Sequence, residues 1–221
     1  KSQKEEVLST EVTKEDLENA VMDKFGVKYS KDGKRLLKAT RDLNGEYAIK
    51  NGTKVICDNA FIWHIVDLTA IHIPDSVTNI GNGAFSYCGK LTDITLPQNI
   101  KAINGNPFVN WNGKLIVKSE NLIYEDGVLF DKYKRRLIAY RSKKKDYEIP
   151  NSVTSIGDRA FYGCEDLTSI HIPNGITSIG DRAFYGCKNL SSIHIPDSMT
   201  SIGNSAFEYC KNTFRDRKSV V

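Results

Sequence analysis

The chain has 221 residues, 40% hydrophobic and 26% charged, with a net charge of +4 at neutral pH. That length suits one extended domain or two small ones, and the composition supports a packed core and excludes global disorder. So mild a positive balance does not point to nucleic acid, whose binders concentrate far more basic charge on one face. No apolar run reaches the ~18 residues of a membrane span.

The chain opens Lys1-Ser2-Gln3-Lys4-Glu5-Glu6, with neither an initiator methionine nor an apolar leader, as expected of a mature or trimmed chain and compatible with export. Thr13-Lys14-Glu15-Asp16, followed by Leu17, Val21, Phe25 and Gly26, reads as a short capped helix expected to cover an exposed first rung. Tyr29 to Leu37 reads as a β-hairpin with Asp32-Gly33 at its turn.

From there a repeat takes over. Ile73-Pro74 and Leu96-Pro97 open units 23 residues apart, and Ile49-Lys50 opens a degenerate copy one residue longer. After an insert, Ile149-Pro150, Ile172-Pro173 and Ile195-Pro196 open three more at the same 23-residue spacing. Phenylalanine recurs at Phe61, Phe85, Phe108, Phe161, Phe184 and Phe207. Three residues later stands Cys88, Cys164, Cys187 or Cys210, with His64 and Trp111 in two copies. A sequence such as Leu167-Thr168-Ser169-Ile170-His171-Ile172-Pro173 alternates as a strand does, so Ile170 and Ile172 point one way and Ser169 and His171 the other. One such strand cannot bury its apolar side alone. Stacked about 4.8 Å apart, the strands make a parallel sheet over a continuous Leu, Ile and Phe core. Gly81, Gly157, Gly180 and Gly203 are expected to permit a tight corner.

A longer duplication lies above this one. Phe130 to Ile138 resembles Tyr29 to Leu37 at an offset of about 100 residues, and each precedes three repeats. The expected organisation is a tail and capping helix over 1–26, a hairpin with three repeats over 27–118, an insert hairpin over 119–148 and three repeats over 149–217, in one continuous solenoid. After Cys210 the expected leucine is Thr213, and Phe214 to Val221 matches no repeat.

The unit Ile-Pro-x-Ser-Val-Thr-Ser-Ile-Gly-x-x-Ala-Phe-x-x-Cys, as at 149–164, resembles the BspA-like leucine-rich repeats of bacterial surface proteins. Gly127-Val128-Leu129-Phe130-Asp131-Lys132, leading to Leu137-Ile138-Ala139-Tyr140, resembles an insert common in that family. The resemblance covers roughly Val27 to Cys210 and departs from the pattern at Lys50 and Cys57. It implies an α/β to mainly β leucine-rich-repeat solenoid with short parallel strands, an N-terminal capping helix and two β-hairpin inserts. It also implies an extracellular or surface-attached protein, with adhesion to host matrix proteins among the roles of some members, and it brings no catalytic residues.

Three constellations stand out among the residues. The four repeat-position cysteines are expected to point inward as buried thiols, with disulfides or metal binding as lesser alternatives. His72, His171 and His194 share an outward strand position with Ala48, Thr95, Lys118 and Glu148, giving a candidate binding face of His72, Thr95, Lys118, Glu148, His171 and His194. Lys132, Lys134, Arg135, Arg136, Arg141, Lys143, Lys144 and Lys145 crowd the second hairpin as a candidate basic patch for sulfated glycans or acidic proteins, or as a solvated tip that blocks edge pairing.

Repeated serines such as Ser155, Ser178 and Ser201 are not a unique nucleophile, and no nucleophile elbow, phosphate loop or zinc-protease motif occurs. The expectation is a non-enzymatic recognition or adhesion module with no cofactor and no metal, binding a protein or glycan. The competing reading is a structural spacer or self-assembling surface protein.

Overall fold

The computed structural model describes residues 8–62, 67–191 and 193–211. The chain divides into two compact units, Lys1–Ser119 and Glu120–Val221. Each is a stack of parallel rungs, mainly strand, as the repeat predicts.

In the first unit the two-residue strands Val55–Ile56, Asn79–Ile80 and Ala102–Ile103 pair in parallel, Ile56 opposite Ile80 and Ile80 opposite Ile103. In the second unit Ser155–Ile156, Ser178–Ile179 and Ser201–Ile202 do the same. A second set of parallel strands forms another side of each rung: Asn44–Ala48 with Asp67–His72, Asp93–Leu96 with Lys114–Val117, and Asp146–Glu148 with Ser169–His171. Between them runs the phenylalanine segment. The threonine before the short strand has a clear use, since its hydroxyl donates to a carbonyl one rung back, as in Thr177 to Thr154 at 3.3 Å and Thr200 to Thr177 at 2.9 Å.

The phenylalanines form a spine in each unit. Phe61, Phe85 and Phe108 stack with centroids 5.5 and 6.2 Å apart, and Phe161, Phe184 and Phe207 at 4.7 and 5.2 Å. Trp111 finishes the first spine against Phe108, and Tyr47 starts it against Phe61. Tyr140 and Tyr147 start the second against Phe161. Burial of such rings supplies a large apolar area plus favourable ring geometry, which holds successive rungs in register.

Both hairpins form. Lys28–Tyr29 runs antiparallel to Arg35–Lys38, with Gly33 at φ +71° in the turn, and Val128–Asp131 runs antiparallel to Arg136–Tyr140, with Lys134 at φ +51°. Each hairpin joins the first rung of its unit in parallel, through Leu36 opposite Ile56 and Leu137 opposite Ile156. Two strands unseen in the sequence extend them, Val21–Met22 and Leu122–Glu125.

The N-terminal helix is shorter than expected. It covers Lys14–Glu18 only, closed by a reciprocal capping box between Thr13 and Asp16. Val21, expected in the helix, pairs instead with Tyr29 as an edge strand, and Phe25 is half exposed. The covering role falls to the whole segment from Leu8 to Ala20. Leu8, Val12, Leu17 and Ala20 pack on Leu37, Val55 and Cys57, the outer side of the short-strand sheet. That explains Cys57, which stands where other rungs have glycine: it is buried beneath this strap.

The glycine expectation also needs correcting. Gly81, Gly157, Gly180 and Gly203 do not have positive φ; the left-handed corner falls two residues on, at Asn59, Gly83, Arg159, Arg182 and Ser205. At Gly81, Gly180 and Gly203 glycine is required for space. A Cβ on Gly81 or Gly180 would lie 2.3 Å from the Asp58 or Asp158 carboxylate oxygen of the preceding rung, and one on Gly203 would lie 2.4 Å from the Asp181 nitrogen.

Candidate functional site

Much of the strand column expected to face solvent does so. In the second unit Glu148 sits opposite His171 in the parallel register, and His194 follows 23 residues later; all three side chains are exposed. Inward neighbours Ile149, Ile170, Ile172 and Ile193 are buried, so the alternation that builds the core also sets these polar groups on its outside.

In the first unit Ala48 lies opposite His72, both exposed. Thr95, half-buried, lies opposite Ile116. Lys118 therefore does not stand in this column; it follows the strand end, two positions on, exposed. The cause is the inward pair Ile94–Leu115, which fixes the register. Ser119 then turns inward and donates to the Ile100 carbonyl at 2.7 Å.

The eight basic residues do not form one patch. The strand Arg136–Tyr140 separates the tip residues Lys132, Lys134 and Arg135 from Arg141, Lys143, Lys144 and Lys145 at its other end. Lys134 is ion-paired with Glu125, and Lys144 lies 3.4 Å from Asp126. Arg141 is half-buried and donates to the Tyr124 hydroxyl at 3.1 Å, and burial holds its guanidinium below the usual arginine value. Exposed and without an ion pair among the described residues are Lys132 and Arg135 at one end, and Lys143 and Lys145 at the other.

The cysteines point inward, each donating to a carbonyl one rung back: Cys88 to Phe61 at 3.2 Å, Cys187 to Phe161 at 3.1 Å, Cys210 to Phe184 at 3.0 Å and Cys164 to Tyr140 at 3.8 Å. Burial pushes the thiols of Cys88 and Cys164 up to about 12 and that of Cys57 up to about 11. Trp111 takes the same slot and donates from Nε1 to the Leu91 carbonyl at 2.7 Å. His64, the other stand-in, lies outside the described residues, as do Thr213 and Phe214 to Val221. Among the described residues no three His, Cys, Asp or Glu side chains converge as a metal would require, and no helix is long and apolar enough to cross a membrane.

Two surface features escaped the sequence reading. Tyr162 and Tyr185 stack at 4.9 Å with Tyr209 edge-on to Tyr185 at 5.1 Å, and the Arg182 guanidinium lies 6.0 Å from the Tyr185 ring. The repeated Phe-Tyr-Gly-Cys at 161–164 and 184–187 was the available signal. At the N-terminal side of the first unit, Val21, Met22 and Phe25 are 48%, 63% and 49% exposed on and beside an edge strand.

Comparison with known proteins agrees with this architecture. The family model for the BspA type leucine rich repeat region matches residues 53–136 and 137–215 in six copies. No curated protein sequence matches the chain. Among solved structures it is similar to the pneumococcal vaccine antigen PcpA, with 26% identity and a TM-score of 0.64 over 76% of this chain and 43% of that one. It is also similar to a leucine-rich cell surface protein from Faecalibacterium prausnitzii A2-165, with 27% identity and a TM-score of 0.57 over 76% of this chain and 52% of that one. The chain thus spans about half the length of each. With its rungs, spines and repeat pattern all of one kind, the chain belongs to the BspA-type leucine-rich-repeat family.

Proposed function

We propose that the chain is a non-catalytic recognition module of the bacterial cell surface or exterior, binding a protein or glycan partner across its outward strand columns. One observation carries this reading. Inward positions repeat almost unchanged, while the outward column runs Ala48, His72, Thr95 and Ile116 in one unit and Glu148, His171 and His194 in the other. Stacked rungs turn such variation into a linear pattern of chemically distinct contacts about 4.8 Å apart, and a solenoid suits such a use. The likeness to a vaccine antigen and to a cell surface protein supports exposure at the bacterial surface.

The partner is tested by applying the full chain to immobilised extracellular-matrix glycoproteins and to a glycan array. Specific saturable binding, weakened by alanine at Glu148, His171 and His194, supports the reading. Uniform silence on both surfaces counts against it.

A second reading, self-assembly, draws on the edge strand Val21–Met22, whose exposed apolar side chains stand beside unpaired backbone groups. Light scattering over a concentration series separates the two, because a strict monomer rules assembly out.

A further inference from the structure

The strap of the first unit is gripped by two donors on opposite sides. The Arg35 guanidinium donates to the carbonyls of Ser9, at 3.0 Å, and Glu11, and it meets the Asp16 carboxylate at 2.7 Å. The Asp58 N–H donates to the Thr10 carbonyl between them at 2.8 Å. Successive carbonyls of an extended segment point to opposite sides, so this pair of donors straddles an extended peptide.

The Asp58 position needs such an acceptor for a reason built into the stack. In three later rungs the equivalent N–H is satisfied by the carboxylate one rung back: Asn82 by Asp58 at 2.8 Å, Asp181 by Asp158 at 2.9 Å, and Asn204 by Asp181 at 2.7 Å. The first rung of a unit has no such carboxylate behind it, and in the first unit the strap supplies the carbonyl instead.

The second unit repeats both donors. Arg136 is the counterpart of Arg35, since each sits one residue before the leucine that pairs with the first rung, and Asp158 is the counterpart of Asp58. The guanidinium lies over Gly157, with Nε 3.3 Å from where a Cβ would stand, just as Arg35 acts on the thiol of Cys57, the residue at that place in the first unit. Among the described residues neither the Arg136 guanidinium nor the Asp158 N–H has an acceptor, and both residues are half-buried. Ile138, the counterpart of Leu37, is already buried, so what remains is the polar half of the strap site.

We infer that Arg136 and the Asp158 N–H form a second docking position for an extended acidic peptide from a partner protein. Its three consecutive carbonyls take the places of those of Ser9, Thr10 and Glu11, and a carboxylate a few residues on takes that of Asp16. The chain's own strap is tethered beside Arg35 at high effective concentration, so the occupant belongs to another protein. This goes beyond the outward-column reading by adding a second surface and a partner class, and rests on it only for biological use.

The probe is a labelled, end-blocked peptide of residues 8–20, titrated into the full chain with anisotropy as readout. Saturable binding is expected, weakened roughly tenfold or more by Arg136→Ala and kept by Arg35→Ala. Hydrogen exchange gives an independent readout: the Asp158 amide slows on peptide addition while the Asp58 amide is unchanged. Absence of saturation up to about 1 mM, or binding lost with Arg35→Ala and not with Arg136→Ala, overturns the inference. A dimer of the chain alone that dissolves on Arg136→Ala overturns the partner assignment in favour of a second copy. Array binding through the strand column is measured separately with the Glu148, His171 and His194 variants, so failure of one leaves the other standing.

Discussion

The Cys187 thiol donates to the carbonyl of Phe161, one rung back, at 3.1 Å, and the ring of Phe161 stacks on that of Phe184, three residues before the cysteine. One residue pair thus ties core packing to a polar staple. Hydrogen bonding to the neighbouring Cys210 sulfur, together with burial, pushes Cys187 well above the ordinary thiol range.

Buried thiols of this kind are slow nucleophiles. At pH 8, Cys57, Cys88 and Cys187 are expected to react with iodoacetamide at the rate of unfolding, and to label at once in urea. Rapid labelling of the native chain at Cys88 would contradict the inward ladder. The linkage follows from the raised values. Above an ordinary thiol pKa of about 8.5–9 the unfolded chain loses protons that the folded chain keeps, so stability falls with rising pH. For Cys88 that loss runs from about pH 9 to about 12, at no more than about 1.4 kcal/mol per pH unit. Cys88→Ala is expected to flatten that part of a stability-versus-pH curve.

Phe184 is fully buried between two stacked rings. Truncation to alanine removes both stacking partners' contacts and leaves a cavity, at a cost of about 3–5 kcal/mol in urea unfolding. Phe207→Ala is expected to cost less, because Phe207 is only partly buried. Equal costs would indicate that the spine is not graded toward its last described ring.

Glycine substitutions separate space from backbone freedom. Gly180→Ala drives a methyl against the Asp158 side chain at 2.3 Å and its backbone nitrogen at 2.5 Å, so strong destabilisation is expected, and Asp158→Ala does not rescue it because the backbone atom remains. Gly89→Ala, with nothing within 4 Å and no positive φ, is expected to be neutral or to stabilise by about 0.4–1 kcal/mol. Thermal melts of the two variants provide the check.

The strap depends on Asp16, whose carboxyl is held below its ordinary value by the Thr13 backbone N–H and then by Arg35. A depressed folded value means that its contribution is present above about pH 4 and is lost as pH falls through the folded pKa. Asp16→Asn is therefore expected to speed hydrogen exchange at the Asp58 amide at pH 7, and to matter less as pH falls through the folded pKa. An unchanged amide at pH 7 would mean that the strap is held by its apolar contacts alone.

Much of this molecule was legible because the repeat gives each inward residue several witnesses. The Phe and Cys ladders, the strand polarity and both hairpins follow from spacing alone. Lys118 was misplaced because its rung lacks the proline that indexes the others, leaving Leu115 and Val117 to set a register that only pairing reveals. The glycine positions were legible but their reason was not, since the obstructing aspartate lies 22 or 23 residues earlier in the chain. The basic patch dissolved because ion pairs with Glu125 and Asp126 depend on a third strand the sequence did not announce.

In the proposed function, binding to matrix glycoproteins or glycans lies on the outward strand column, apart from the peptide position at Arg136. The direct measurement compares two triple-alanine variants on matrix glycoproteins and the glycan array: Glu148, His171 and His194 in one, Thr154, Thr177 and Thr200 in the other. Binding lost in the first and kept in the second is the predicted result. Equal retention or equal loss, with both variants folded, would contradict it.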